Sequence, residues 1–228
     1  MRRVFADRTE AGRALAAALA AWRGAADTVV LGLPRGGVPV AYEIAASLGL
    51  PLDVLVVRKL GLPWQPELAM GAIASGGAVV VNEDVLRYLP AGSEAFEAVR
   101  DREQRELERR ERDYRGERPP LDMRGRTGIL VDDGLATGAT MEAAVRSLRA
   151  IGTQRVVVAV PVASTAARDR IAAVADEIVC LETPESFSAV GQWYRDFGQT
   201  EDAEVREVMA RTMRRHPEGA ATVTGDGS

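Results

Sequence analysis

Two adjacent carboxylates, Asp132 and Asp133, close the apolar run Ile129, Leu130, Val131 and lead directly into the small-residue stretch "GLATGAT". A turn of this composition opening a helix leaves backbone N–H groups unpaired, with the helix dipole behind them, and such a site cradles phosphate. Ala136, Gly138 and Ala139 would contribute amides there, and Thr137 and Thr140 would add hydroxyl donors. Acids beside an anion repel it unless a neutral group lies between them. A ribose satisfies that condition: its 5-phosphate enters the cradle while its vicinal hydroxyls donate to Asp132 and Asp133. The lysine of a G-x-x-x-x-G-K-[ST] loop is missing, which favours a monophosphate over a longer phosphate chain. The bland reading of the same residues is a strand-to-helix turn whose acids only cap the helix.

Two further groups of residues suit anions. In "LPRGGVPVA", Gly36 and Gly37 let backbone approach a ligand closely and Arg35 offers a guanidinium for phosphate oxygens. In "VVRKLGLPWQPELAMGAI", Arg58 and Lys59 end an apolar run, either as pyrophosphate ligands or as basic side chains snorkelling from a strand end. Other chemistries are excluded by composition. The single histidine, His216, lies in a polar tail and the single cysteine, Cys180, lies in the apolar run "EIVCLE", so His-based triads, zinc sites and internal disulfides have no residues to build them. A net charge of −4 with dispersed basic residues gives no case for nucleic acid or a membrane surface as partner. With no spanning apolar run and no signal-peptide pattern at the start, the expected location is the cytoplasm.

The elements that must position these groups alternate between short β-branched runs and amphipathic segments, the pattern of a doubly wound, mostly parallel α/β sheet. Strands are expected at "TVVLGL", "LDVLVVRK", "GAVVVNE", "GILVDD", "RVVVAVP" and "DEIVCLE", with helices after Gly37 and near residues 139–151 and 164–175. Their lengths suit strands buried on both faces. Residues 1–212 are expected to form a single domain, and residues 213–228 a disordered tail. The charge-laced stretch 93–120 predicts an inserted helix, either a solvated surface helix or an arm for dimer contacts or for covering the site.

Taken together, the motifs resemble type I phosphoribosyltransferases. "ILVDDGLATGATM" is similar to that family's phosphoribosyl-pyrophosphate motif, "RGGVPVA" to the pyrophosphate loop of its xanthine-guanine enzymes, and "VRKLGLP" to a stretch of its adenine enzymes, although the second lysine of that pattern is absent at Leu62. The similarity spans most of residues 28–181. It implies displacement of magnesium-bound pyrophosphate from phosphoribosyl pyrophosphate by a nitrogen nucleophile, with Mg²⁺ carried mainly by the substrate. It further implies a cis peptide between Pro34 and Arg35, a mobile loop after "VVRK", and a hood around residues 183–205 that binds a nucleobase. Ala136 stands where the 6-oxopurine enzymes have an aspartate, which makes hypoxanthine and guanine poor acceptors on this reading; Glu67 is the candidate acid from the mobile loop. Phe187, Trp193 and Tyr194 either stack on the base or pack a C-terminal helix onto the sheet. A noncatalytic regulator that binds the phosphorylated ribose, and a phosphoribohydrolase with water as acceptor, remain open alternatives.

Overall fold

The structure, a computed structural model, describes residues 3–89, 94–116, 118–119 and 122–215, without the side chains of Glu67 and residues 213–215. β-Branched runs build β1 (Thr28–Gly32), β2 (Leu52–Val54), β6 (Thr127–Val131), β7 (Arg155–Val162) and β8 (Glu177–Glu182). These form one five-stranded sheet in the order β2-β1-β6-β7-β8, parallel throughout. The alternation of side chains along each strand divides the core in two. Val30, Ile129, Val131 and Val157 face one side, with α1 (Arg8–Ala18), α2 (Gly37–Leu48) and α7 (Asp202–Arg215). Val29, Leu31, Leu130, Val156 and Val158 face the other, with α5 (Ala139–Ala150) and α6 (Thr165–Ala172).

Strand order decides where a ligand can sit. The chain winds from β1 outward to β2, then returns to place β6 on the other side of β1, so the direction of winding reverses between β1 and β6. The carboxyl ends of two strands at such a switch point leave a crevice, the usual ligand site of open α/β sheets. The loop after β1 carries Arg35 to Gly37, and the loop after β6 carries Asp132 to Gly138.

Three expectations require correction. "LDVLVVRK" is two strands: the chain leaves the parallel sheet after Val54, and Val57–Leu62 forms β3 of a separate three-stranded antiparallel sheet, β3-β4-β5. The segment expected as a mobile loop is largely strand β4 (Gln65–Ala74), and "GAVVVNE" supplies β5 (Ala78–Val81) of the same small sheet, followed by the one-turn helix α3 (Glu83–Leu86). Run length and hydrophobicity reveal a strand but not the sheet it joins, so a single apolar run can serve two sheets. The charged stretch forms α4 (Ala95–Arg115), which is neither a fully solvated helix nor a free arm, since Val99, Leu107 and Tyr114 are buried. Arg115 reinforces that packing: its Nε donates to Asp53 at 2.8 Å, its Nη1 to Glu111 at 2.6 Å, and its Nη2 to the Val54 carbonyl. At the other end of the chain, α7 runs to Arg215, and the remainder of the expected tail lies outside the described residues.

Candidate active site

The two anion-suited loops meet. At Gly36, a Cβ would fall 2.0 Å from Oδ2 of Asp133, and at Gly37 it would fall 2.5 Å from the Val131 carbonyl oxygen and 2.9 Å from Cα of Asp132. Only glycine permits the β1 loop to lie this close against the acids of β6. The Pro34–Arg35 peptide is cis. Leu33 N donates to the Val131 carbonyl at 2.9 Å, which ties the turn to β6, and Gly37 N donates to the Leu33 carbonyl at 3.0 Å, which closes the turn on itself. Helix α2 starts at Gly37 and α5 at Ala139, and neither N-cap residue, Gly36 or Gly138, offers a side chain to the helix. The first amides of α2 are spoken for, Gly37 N by the Leu33 carbonyl and Val38 N by the Arg35 carbonyl, and Pro39 has none, so the α5 N-terminus is the one that faces the crevice with donors to give.

The loop after β6 is held from behind. Leu135 N donates to the Val162 carbonyl at 2.9 Å, Ser164 Oγ to the Ala136 carbonyl at 2.7 Å, and Arg170 Nη1 to the Thr137 carbonyl at 3.2 Å. Gly138 takes φ 74°, a left-handed turn into α5. Ala136, Thr137, Ala139 and Thr140 are exposed, as a phosphate cradle requires. Thr137 Oγ1 lies at the limit of hydrogen bonding to Ala139 N, 3.5 Å, a weak contact that a ligand oxygen can displace.

The electrostatics of the acid pair are unusual for carboxylates. Packing against Gly37 and the end of β6 strips water from Asp132, and this burial, with the neighbouring Asp133 charge, pushes its carboxyl well above the ordinary carboxylate range. Burial also raises Asp133, against the opposing pull of Arg8. Arg8 Nε and Nη2 both donate to Oδ2 of Asp133, at 2.9 and 2.8 Å, while Nη1 donates to the Gly198 carbonyl at 2.7 Å. Sequence reasoning missed Arg8. It lies 125 residues from Asp133 in the first turn of α1, and nothing in its neighbourhood marks it as more than a surface arginine.

The hood aromatics are mostly core. Trp193, in the short 3-10 helix Val190–Trp193, is 3% exposed and Tyr194 is 6% exposed, both packed with Phe5 and Ala11. Both are packed as core, but against the N-terminal segment and not as the expected fastening of a C-terminal helix to the sheet, since the buried residues of α7 belong to another cluster. The aromatic density there reflects a satellite core formed with the N-terminal segment: Phe5 N donates to the Trp193 carbonyl and Arg195 N to the Phe5 carbonyl, each at 2.8 Å. Tyr194 nonetheless touches the site, because its hydroxyl donates to the Asp133 carbonyl at 2.6 Å. Burial raises that hydroxyl far above the usual tyrosine range, so it stays a donor. Phe187 is half-buried against the same cluster. Phe197, also missed, stacks on Tyr194 at 4.9 Å and receives the Arg8 guanidinium 4.1 Å from its centroid.

The remaining candidates are distributed as follows. Arg35 is one-third exposed and its Nη1 approaches Glu201 at 3.8 Å, a loose pairing. Arg58 is turned toward α4, donating through Nε to Glu103 at 2.9 Å and through Nη2 at 2.5 Å. Lys59 is exposed on β3. Glu67 lies in β4 and its side chain falls outside the described residues. Among the described residues, no group of three or more His, Cys, Asp or Glu side chains is arranged to hold a metal ion, and no helix is long and apolar enough to cross a membrane.

Comparison with known proteins agrees with this geometry. The model of the phosphoribosyl transferase domain family matches residues 7–197. A Mycobacterium tuberculosis protein whose name provisionally assigns it as a phosphoribosyl transferase is 51% identical over 219 residues, covering 96% of this chain and 49% of that protein. The chain thus spans about half the length of the curated relatives it matches. The adenine phosphoribosyltransferase of Mycobacterium marinum is 33% identical over 167 residues, 73% of this chain and 71% of that one. Among solved structures, TT1426 from Thermus thermophilus superposes with a TM-score of 0.82 at 48% identity, covering 92% of this chain and 99% of that one.

Proposed function

Because the chain belongs to the phosphoribosyl transferase family, we propose that it is a phosphoribosyltransferase that uses phosphoribosyl pyrophosphate as donor and a nitrogen heterocycle, a nucleobase or a related ring, as acceptor. One observation carries the reading: the glycine turn Gly36–Gly37 and the acids Asp132 and Asp133 are in contact at the switch point. A ligand with a pyrophosphate on one side of a ribose and a 5-phosphate on the other matches a crevice in which two carboxylates lie between the Arg35–Gly36 turn and the N-terminus of α5.

In the proposed reaction the acceptor nitrogen forms a bond to the anomeric carbon as the bond from that carbon to the pyrophosphate oxygen breaks, and the nitrogen loses a proton. Asp132 and Asp133 accept hydrogen bonds from the ribose hydroxyls, while the amides of residues 136–140 and the Thr137 and Thr140 hydroxyls hold the 5-phosphate. Arg35 and the Gly36 amide stabilise the charge that develops on the leaving pyrophosphate, and Gly37, whose own N–H is held by the Leu33 carbonyl, permits the close backbone approach. Arg58 and Lys59 are further pyrophosphate ligands in this proposal, Arg58 only after release from Glu103. The residues present do not fit a resident magnesium ion, since Arg8 occupies Oδ2 of Asp133 and Asp132 Oδ1 already accepts from Asp133 N. Magnesium is therefore assigned to the substrate pyrophosphate.

For the acceptor, the similarity to an adenine phosphoribosyltransferase and the alanine at position 136 support a purine or purine-like ring that lacks the 6-oxo group. Glu67 is the proposed acid that meets the ring. The deciding experiment follows pyrophosphate release from phosphoribosyl pyrophosphate with purines, pyrimidines and no acceptor. Acceptor-dependent release supports the transferase. Release that ignores the acceptor identifies a phosphoribohydrolase, and tight binding without release identifies a regulator.

A further inference from the structure

Asp133 is held differently from Asp132. Its carboxylate lies between the Arg8 guanidinium and the Gly36 backbone, and both Arg8 bonds end on Oδ2. Oδ1 takes neither of them and lies farther from the glycine, 3.2 Å from the ideal Cβ position against 2.0 Å for Oδ2. The guanidinium is itself immobilised. Its third nitrogen is bonded to the Gly198 carbonyl, its face rests on Phe197, and the Phe197 ring is stacked on Tyr194, whose hydroxyl bonds the Asp133 main-chain carbonyl. The side chains of Arg8 and Asp133 are only 14% and 15% exposed.

An ion pair whose only purpose is to fasten α1 to the sheet would not require this construction. Helix α1 is already anchored by the buried Ala11, Leu15 and Ala16 and by the backbone bonds of Phe5 to the hood. Arg8 instead places a fixed positive charge on one of two adjacent carboxylates beside a phosphate site. That keeps Asp133 available as an acceptor where two bare acids would repel each other and the ligand.

We infer that Arg8 is a positioning residue for ribose recognition: bound to Oδ2, it orients Asp133 so that Oδ1 accepts from a ribose hydroxyl, and it couples that acid to the hood through Phe197 and Gly198. The assignment rests on the ribose-binding role proposed above for Asp133. It extends that role to a residue of the N-terminal helix and to Phe197, and makes the hood a support for the ribose site.

The test is calorimetric titration of the full chain with ribose 5-phosphate and, separately, with magnesium pyrophosphate. Arg8→Gln should weaken ribose 5-phosphate by about tenfold or more, the scale of a lost hydrogen bond to a charged group, and change pyrophosphate affinity far less. Arg8→Lys, which keeps the charge without the fork, should fall between wild type and Arg8→Gln. Phe197→Leu retains the ion pair but removes the platform; it should weaken ribose 5-phosphate several-fold with the same selectivity, and it serves if Arg8→Gln does not fold. Equal losses for both ligands, or an unchanged ribose 5-phosphate affinity in folded variants, overturn the inference. A wild-type chain that binds pyrophosphate but not ribose 5-phosphate overturns the ribose reading itself, and the inference with it.

Discussion

Two clusters among the described residues set a buried arginine beside two acids, and they are built on opposite plans. Beneath α4, Arg115 gives one arm to Asp53, one to Glu111 and one to the Val54 carbonyl, so each acid has its own donor and the cluster is closed. At the switch point, Arg8 directs two of its nitrogens to a single oxygen of Asp133, and among the described residues Asp132 has no cation partner. The first arrangement fastens a helix to a strand. The second retains acceptor capacity and keeps two carboxyls above their ordinary range, which costs stability and suits a ligand that brings hydroxyl donors. Charge that a protein satisfies internally supports the fold, and charge that it leaves half-satisfied at a strand end marks a site.

Mutations can break that contrast. The largest expected effect is on the closed cluster: Arg115→Ala breaks a buried ion pair with Asp53 and should cost about 3–5 kcal/mol of stability in urea denaturation, with ribose 5-phosphate affinity unchanged in the folded fraction. The double replacement of Asp132 and Asp133 by asparagine should do the reverse, reducing ribose 5-phosphate affinity by about a hundredfold while the fold persists. Singly, the two acids should separate. Asp132→Asn removes a desolvated charge and should raise the melting temperature, whereas Asp133→Asn orphans Arg8 and should lower stability by about 1–3 kcal/mol. If both single variants shift melting in the same direction, the open cluster is not organised as described.

Proton linkage sharpens the same point. Both carboxyls are raised in the folded chain, so their contribution to stability is present at low pH and is lost as pH rises from the ordinary carboxylate range through the folded values. Ribose binding requires ionised acceptors and should strengthen with pH over that same window. Calorimetry of ribose 5-phosphate across mildly acidic to neutral pH should show a steeper dependence in the wild type than in Asp132→Asn, a comparison that cancels the ligand's own titration. The smallest effect is expected at Glu103→Gln, which loosens Arg58 from α4. Pyrophosphate should then bind about two- to fivefold more tightly if Arg58 reaches it, on the scale of a partly exposed ion pair, and unchanged binding removes Arg58 from the site.

The acids, the threonine turn, the double glycine and the alternation of strands were legible in the sequence because each is local: a strand end, a helix start and a close backbone approach are set by residues within a few positions of one another. From those, the parallel strands of the switch point and the pairing of two anion loops followed. The fate of "LDVLVVRK" was not legible, since an apolar run has the same appearance whichever sheet it enters, and leaving the first sheet after Val54 depends on contacts such as Val56 N to Ser75 Oγ at 3.0 Å. Nor could composition decide whether Trp193 and Tyr194 stack on a ligand or on Phe5. That choice belongs to the N-terminal segment, which meets the hood only through tertiary contacts far apart in the chain. Arg8 is the clearest case: its chemistry is common to every arginine in the chain, and only tertiary packing, by removing water and bringing residues 125 apart to 2.8 Å, makes it the partner of Asp133.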